Sequence, residues 1–283
     1  MGVKVLLSIL TMVAATLPVA AQGHLVLNGG GQRPRAVMEK FIELAGGREA
    51  LILVVPTASA EPDTGSRYVK EFTGQYGCTR VAVLDVRDRS DAQRPEHVAL
   101  VEKAGGVFFA GGDQRRITAA LLDTAVGEAI ARVYARGGVL GGTSAGTACM
   151  SPLMITGEGD FAAITAGNVE LARGLGFFAG VIVDQHFIAR QRQNRLIAVV
   201  LEHPELVGVG VDEATAVWVR PEGSLQVLGE GSVMVIDART ARVRRLPRAN
   251  HPHPLLGVAD LKVHILLPGE TFAFPPPPRD VVE

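Results

Sequence analysis

The segment GGTSAG, residues 141–146, places a serine among residues of very small bulk. Ser144 lies in a G-x-S-x-G pattern, in which a nucleophilic serine occupies a sharp turn between a strand and a helix. The apolar stretch 138–142 predicts that strand, and AGTACMSPLM, residues 145–154, predicts the helix. Free N–H groups at the start of such a helix can stabilise an oxyanion, and the amide of Ala145 is well placed to do so. The pattern therefore predicts acyl-transfer chemistry.

A serine hydroxyl needs a base to remove its proton, and the chain has seven histidines. His186 ends the apolar segment GVIVDQHF, residues 180–187, so we expect it at the same sheet edge as Ser144. The other six lie in predicted turns, helix surfaces or tails. A histidine at a strand end can also be a structural hydrogen-bond partner. His186 is nevertheless the candidate base.

Two residues are candidates for the acid that orients this base. Glu213 follows the apolar strand at the start of VGVGVDEATAVWV, residues 207–219, where a carboxylate is costly to bury unless something uses it. Asp160, in the glycine-bracketed GEGD, follows the predicted elbow helix and could swing back over the site. The order serine, histidine, acid differs from that of α/β-hydrolases, in which the acid precedes the histidine.

The scaffold is predicted from apolar runs that alternate with helical patterns. The continuous apolar run ALILVVPTAS, residues 50–59, is typical of a strand covered on both faces. Alternation up to residue 142 predicts βαβ units in a mostly parallel sheet with helices on both faces. Short β runs after residue 206 predict extra strands on the sheet edge, not a second domain. In GGGQRP, residues 29–34, proline stands where a dinucleotide-binding helix would begin, so we expect no such cofactor.

Composition excludes some classes of function. The 28 basic and 29 acidic residues balance, which argues against a nucleic-acid-binding protein. The arginine-rich run 239–248 predicts a solvated strand face, with an anionic-ligand patch as the alternative. HPHP, residues 251–254, is interpreted as a loop, because no third ligand stands at metal-binding spacing. Cys78 and Cys149 are interpreted as buried free thiols, although an exported protein could pair them.

Residues 1–21 have the pattern of a signal peptide. Lys4 precedes an apolar run, Pro18 interrupts that run near its end, and small residues close the segment. A membrane anchor is the alternative, but the run is short for a span. The sequence predicts a mature single domain, residues 22–283, that is secreted or periplasmic and not bound to a membrane after cleavage.

Four segments carry a family resemblance: FFAGGDQRRI (108–117), GGTSAG (141–146), DQHFIARQRQNRL (184–196) and GVGVDEATA (208–216). By their order and spacing the chain resembles cyanophycinases, within the serine peptidase family that also holds aspartyl dipeptidase. The resemblance covers nearly all of the predicted mature chain. It implies a flavodoxin-like sheet related to class I glutamine amidotransferases.

The resemblance also implies catalytic roles. Ser144 is implied as nucleophile, His186 as base and Glu213 as third member, while Asp160 stands where some assignments in the family put the acid. Gly112 and Ala145 are implied as oxyanion-hole donors. No cofactor and no metal are implied.

A set of polar residues beside these segments is implied to contact substrate: Asp113, Gln114, Asp184, Gln185, Arg190, Arg192 and Arg195. Arginine forks pair with carboxylates in a bidentate way, although a surface arginine run is the alternative. Thr147 stands where the family more often has alanine, and we expect it to narrow the pocket.

The implied substrate is cyanophycin, a polyaspartate whose side chains carry arginine, and the implied products are β-Asp-Arg dipeptides. Alternatives are a related exported peptidase for short Asp or isoaspartyl peptides, or a non-catalytic binding protein of the same fold. We also expect a homodimer.

Overall fold

The computed structural model describes residues 23–159 and 162–274. Its largest sheet contains eight strands. Across the sheet these are β16 (Thr271–Phe272), β11 (Leu225–Gly229), β10 (Thr215–Val219), β1 (His24–Asn28), β5 (Val139–Thr143), β4 (Gly106–Phe109), β2 (Ile52–Val55) and β3 (Val81–Val83). The five strands from β1 to β3 pair in parallel, and β10, β11 and β16 continue the sheet antiparallel. The predicted mostly parallel sheet is therefore confirmed.

Helices cover both faces of this sheet, because its strands send alternate side chains to two apolar clusters. In β1, Leu25 and Leu27 join one cluster and Val26 joins the other. The Val26 side is covered by α1 (Arg35–Leu44) and α2 (Thr64–Tyr76). The other side is covered by α3 (Pro95–Val101), α4 (Gln114–Leu121), α5 (Ala125–Ala135) and α6 (Ala145–Ala148).

A second sheet of four strands carries part of the C-terminal half of the chain. Its strands, in order, are β15 (Lys262–Leu266), β12 (Val233–Asp237), β9 (Val207–Val211) and β8 (Val181–Gln185). β8 and β9 are parallel and are connected through α7 (Gln193–Glu202), which packs on this sheet through a third apolar cluster that includes Leu196 and Val200.

This division corrects the expectation that the late strands all extend one sheet. β10 and β11 do extend the main sheet, but β9, β12 and β15 form a separate sheet with β8, in which β9 is the strand that pairs with β8. The strand that leads to His186 is therefore not in the same sheet as the strand that leads to Ser144. The two sheets approach closely at Gly29, where a Cβ atom would lie 2.2 Å from the carbonyl oxygen of Asp212. Only a residue without a side chain permits that contact.

Two hairpins complete the described fold. β6 (Leu153–Gly159) pairs with β7 (Val169–Arg173), and β13 (Arg242–Arg248) pairs with β14 (His251–Ala259). The interpretation of residues 251–254 as a loop is wrong, because they begin β14. β13 and β14 form a sheet of only two strands, so each strand has one edge without a partner strand. The prolines of β14 can therefore occupy positions whose backbone nitrogen needs no inter-strand hydrogen bond. Arg244 and Arg245 are exposed on β13, as a solvated strand face requires.

The helix after Ser144 is shorter than predicted. It ends at Ala148, and the chain turns into β6 instead of continuing to residue 154. Pro152 disfavours helical backbone at the residue before it. The carbonyl oxygens of Cys149 and Met150 accept hydrogen bonds from the amides of Leu175 and Phe178, at 2.7 and 2.9 Å, and so are not used for a further helical turn.

Cys149 and Cys78 are both buried free thiols, and they belong to different apolar clusters. Residues 1–21, which carry the predicted signal peptide, lie outside the described residues. Within the described ranges, every helix is too short or too polar to cross a membrane.

We expect two glycine-to-alanine substitutions to have opposite effects on stability. Gly146→Ala should destabilise the fold by about 1–3 kcal/mol, because its Cβ would lie 2.3 Å from the backbone oxygen of Phe109. Gly74→Ala, in α2, meets no atom within 4 Å and should stabilise the fold by about 0.5–1 kcal/mol through helix propensity. Urea denaturation of both variants measures this. Equal free energies of unfolding for the two variants would contradict the packing described for α6.

Candidate active site

Ser144 occupies the turn between β5 and α6 with a strained backbone. Its φ is +52° and its ψ is −111°, a conformation that residues with a side chain seldom adopt. The small neighbours are required by close contacts, since a Cβ on Gly142 would lie 2.2 Å from the carbonyl oxygen of Gly146. The turn thus has the strand–turn–helix geometry that the G-x-S-x-G pattern predicts.

Asn28, at the end of β1, holds this turn in place through hydrogen bonds. Its backbone oxygen accepts hydrogen bonds from the Ser144 amide at 3.1 Å and from the Thr147 hydroxyl at 2.6 Å. Its side-chain Oδ1 accepts from the Gly30 amide at 2.8 Å and from the Thr143 hydroxyl at 3.0 Å. Thr147 is fully buried. The expectation that it narrows the pocket is therefore wrong, because its hydroxyl is directed to Asn28.

His186 follows β8 and reaches Ser144 from the second sheet. Its backbone also has a positive φ, +51°, and its amide donates to the carbonyl oxygen of Gly29 at 2.7 Å. Its Nε2 lies 2.9 Å from Ser144 Oγ. The ring fits only because residue 30 is glycine, since a Cβ there would lie 2.2 Å from the imidazole.

Glu213 bonds the other side of the imidazole. Its Oε1 lies 2.5 Å from His186 Nδ1, so Nδ1–H donates to the carboxylate and Nε2 is left to accept from the serine hydroxyl. The next residue, Ala214, has a φ of +52° and donates its amide to the carbonyl oxygen of Gly30 at 3.1 Å. The alternative acid, Asp160, lies outside the described residues.

Asp212, the neighbour of Glu213, holds the chain that follows the histidine. Its Oδ1 accepts from the amides of Ile188 and Ala189 at 3.1 and 3.0 Å. The adjacent carboxylates therefore have separate contacts, since one bonds the imidazole and the other bonds the turn beyond it.

Burial keeps the imidazole neutral near pH 7. Desolvation lowers the pKa of His186 below its ordinary value, and this outweighs Glu213, which raises it. The positive charges of Arg190 and Arg192 lower the same pKa further. A neutral imidazole whose Nε2 faces a hydroxyl can act as a general base.

Two residues that were expected to contact substrate bond to each other instead. Asp184 and Arg195 are 1% and 2% exposed and form a bidentate ion pair, with Arg195 Nε 2.6 Å from Asp184 Oδ2. Neither of them lines the cleft at Ser144. This corrects their expected role, because a buried guanidinium already held by a buried carboxylate is not free to clamp a substrate. Their position beneath β8 stabilises the segment that carries His186.

Gln185 and Arg192 lie between this ion pair and the serine. Gln185 Oε1 accepts from Arg192 at 2.9 Å and lies 3.4 Å from Ser144 Oγ. Burial, with a smaller effect of Arg195, lowers the pKa of Arg192 to about 10, so it stays charged at neutral pH. Arg190 is exposed. The three arginines therefore occupy three different environments.

The segment 112–114 is close to the site but its side chains have structural partners. Asp113 caps α4 by accepting from the Arg115 amide at 2.9 Å. Gln114 is buried and donates to the carbonyl oxygens of Ile155 and Thr156, at 2.7 and 2.8 Å. Direct substrate contact by Gln114 is therefore corrected to anchoring of β6. Gly112 has a φ of +142°, and a Cβ there would lie 2.1 Å from the carbonyl oxygen of Ala58.

A cleft of about 420 Å³ opens at Ser144 and His186. One wall of it was missed by sequence reasoning, and it consists of residues from α2 and from the loops after β1 and β2: Arg33, Ser59, Thr64, Arg67, Tyr68 and Glu71. The signal was present in the helix, since residues 64, 67, 68 and 71 share one helical face. Sequence reasoning also missed the structural role of Asn28. This residue directly precedes Gly29 and Gly30, whose carbonyl oxygens accept hydrogen bonds from the segments that carry His186 and Glu213.

Within the described ranges, no group of three or more His, Cys, Asp or Glu side chains is placed to hold a metal ion. The site instead consists of a serine on a strained turn, a histidine and a carboxylate joined by hydrogen bonds on a layered α/β fold. This combination defines a serine hydrolase.

Comparison with known proteins agrees with that class and refines it. The model of peptidase family S51 matches residues 25–227, and the chain belongs to this family of serine peptidases. A cyanophycinase from Nostoc sp. is 39% identical over 261 residues, which are 90% of this chain and 87% of that protein. A cyanophycinase from Synechococcus elongatus is 37% identical over 89% of this chain and 79% of that protein. The crystal structure of a peptidase from an acI-B1 Actinobacterium shares the fold, with a TM-score of 0.66 and 23% identity over 90% of this chain and 98% of that one.

Breaking the buried Asp184–Arg195 ion pair should lower the stability of the fold, because neither residue lines the cleft where catalysis takes place. Arg195→Met leaves Asp184 buried without its partner and should lower the free energy of unfolding by about 3–5 kcal/mol. The exposed Arg190→Met is the matched control and should change it by less than about 0.5 kcal/mol. Urea denaturation followed by circular dichroism measures both. Equal stability of the two variants would show that Arg195 is not a structural residue.

The pH dependence of ester hydrolysis should report His186. Because only the neutral imidazole can accept the serine proton, kcat/KM should fall as the pH decreases through the lowered pKa, with a midpoint below pH 6.5. Glu213→Gln removes the anion that raises this pKa, so the midpoint should move to lower pH while kcat falls about 10²- to 10⁴-fold. Asp160→Asn is the control. A larger kcat loss in Asp160→Asn would assign the acid to residue 160, and a midpoint that moves upward in Glu213→Gln would show that Glu213 does not stabilise the imidazolium.

Proposed function

We propose that this chain is an exported cyanophycinase, a serine-type exopeptidase that hydrolyses cyanophycin to β-Asp-Arg dipeptides. The observation that carries the proposal is the hydrogen-bonded series Ser144–His186–Glu213 in a chain that is 37–39% identical to cyanophycinases over most of its length. Export is supported by the signal-peptide pattern of residues 1–21. A homodimer is part of the same proposal.

In the proposed mechanism, Ser144 Oγ attacks the carbonyl carbon of an aspartate backbone amide. His186 Nε2 takes the hydroxyl proton, and the resulting imidazolium is stabilised by Glu213 through Nδ1–H. The same proton then passes to the leaving amine, and the acyl group stays on Ser144. Water, deprotonated by His186, releases the acyl group and restores the serine.

The tetrahedral intermediate needs donors for its oxyanion. The amide of Ala145 is the first in α6, and amides in the first turn of a helix have no partner within it. Gly112 is proposed as the second donor because it follows β4, which neighbours β5 in the sheet. Removal of one such donor costs catalysis about 10²- to 10³-fold in other hydrolases.

The proposal is tested with the mature protein and insoluble cyanophycin. Wild type should release β-Asp-Arg, identified by mass spectrometry, and should be labelled by a fluorophosphonate probe. Ser144→Ala should fold normally, lose the label and lose polymer hydrolysis by several orders of magnitude. Retention of a tenth of the activity by that variant would exclude Ser144 as nucleophile. Cleavage of short isoaspartyl peptides without cleavage of the polymer would assign the alternative peptidase activity.

A further inference from the structure

One face of α2 carries polar residues where a helix against a sheet would ordinarily carry apolar ones. Thr64, Arg67, Tyr68 and Glu71 are spaced so that they share this face, and all four line the cleft that contains Ser144. Phe72 and Tyr76 of the same helix join the apolar cluster on the sheet, and so does Tyr68, which contacts both the core and the cleft. The charged and hydroxyl-bearing residues of this face therefore line the cleft.

The carboxylate of Glu71 is fixed in place by Arg33. Arg33 Nε and one terminal nitrogen donate to the two oxygens of Glu71 at 3.2 and 2.6 Å, and its other terminal nitrogen lies 3.2 Å from the Tyr68 hydroxyl. The Arg33 guanidinium also stacks over the Tyr68 ring, 4.6 Å from its centre. Both charged side chains are mostly buried, with 24% and 16% exposed. Such a carboxylate is pre-oriented for a ligand.

This carboxylate retains capacity to accept hydrogen bonds. Each carboxylate oxygen has two lone-pair directions, and Arg33 uses one on each. The hydroxyls of Ser59 and Thr64 lie in the same cleft, 2.7 Å from one another. Among the described residues that line the cleft, Glu71 is the only carboxylate. A cationic group bound at this wall of the cleft therefore has Glu71 as its acidic partner among the described lining residues.

We propose that Glu71, with the hydroxyls of Ser59 and Thr64, forms a subsite for the guanidinium of a substrate arginine. Arg67, one turn earlier on the same face and 60% exposed, lies 3.4 Å from the carboxylate of Asp63 in the free protein. In this proposal it exchanges that exposed pair for the free α-carboxylate of the substrate arginine. The proposal rests on the proposed function, because the branches of cyanophycin end in arginine residues that carry both charges. Arg33 is a positioning residue, since it holds Glu71 in the bidentate geometry.

The test compares two ligands that differ in one charge. β-Asp-Arg and β-Asp-citrulline have nearly the same shape, but citrulline replaces the guanidinium with a neutral urea. Binding is measured by calorimetry on Ser144→Ala, which cannot turn over either ligand. This protein should bind the arginine form about 10- to 100-fold more tightly, as expected for a charge-assisted contact.

Adding Glu71→Gln should reduce that preference to about threefold or less, and adding Glu71→Asp should leave it intermediate. Glu39→Gln is the matched control, because it breaks the Arg35–Glu39 pair on α1 outside the cleft and should leave the preference intact. Retention of the full preference in Glu71→Gln would overturn the subsite, and so would failure of Ser144→Ala to distinguish the two ligands. Glu71→Asp keeps the test decisive if Glu71→Gln does not fold.

Failure of the proposed function and failure of the proposed subsite would give different experimental results. A wild-type protein that leaves cyanophycin intact would overturn the proposed activity, whereas the preference for arginine over citrulline is measured without turnover. In the turnover assay, Glu71→Gln should raise KM for cyanophycin much more than it changes hydrolysis of an activated ester, and Glu39→Gln should leave both activities unchanged. An equal loss on both substrates would show that Glu71 acts on the catalytic residues and not on the arginine branch.

Discussion

Three consecutive carbonyl groups, which begin at the last residue of β1, hold the three catalytic segments together. The carbonyl oxygens of Asn28, Gly29 and Gly30 accept hydrogen bonds from the amides of Ser144, His186 and Ala214. Each of those three acceptor–donor pairs joins segments that are far apart in the chain, and each donor residue has a positive φ although none is glycine. The backbone strain at these three donor residues is thus offset by hydrogen bonds to one short segment, residues 28–30. The glycines in that loop are required, because side chains there would collide with the imidazole and with Asp212.

Electrostatics in the site follow from how deeply each charge lies. The Asp184–Arg195 pair is fully buried and so acts on the position of β8, while Arg192 is half-buried and contacts Gln185 beside the serine. Desolvation dominates at His186 and lowers its pKa, although a carboxylate lies directly against it. That carboxylate keeps 39% of its side-chain surface exposed, which limits how strongly it can charge the imidazole. The base is therefore neutral at rest, and Glu213 becomes most effective once the proton arrives.

The sequence predicted much of this arrangement, and its failures have physical causes. The parallel sheet and the helices on both faces followed from apolar periodicity and from glycine-rich strand ends. His186 was also expected near Ser144, but at a shared sheet edge, whereas the two residues follow strands of different sheets. The division of the late strands between two sheets did not, because strand pairing depends on which edges are available in three dimensions and not on local pattern. Asp184, Gln114 and Arg195 were expected in the cleft because the family resemblance implied that they contact substrate. Burial, which sequence does not reveal, gives each of them a partner inside the protein.

The order of the segments along the chain has a consequence for biosynthesis. The serine is made first, its base lies 42 residues later and the carboxylate a further 27 residues beyond that. β9 must pair in the second sheet before Glu213 can reach the imidazole, and β12 and β15 flank that strand on one side. A partly synthesised chain that ends before β8 consequently holds the serine without His186 and Glu213. The three residues can meet only where both sheets are present, so the N-terminal part of the chain cannot form the site alone.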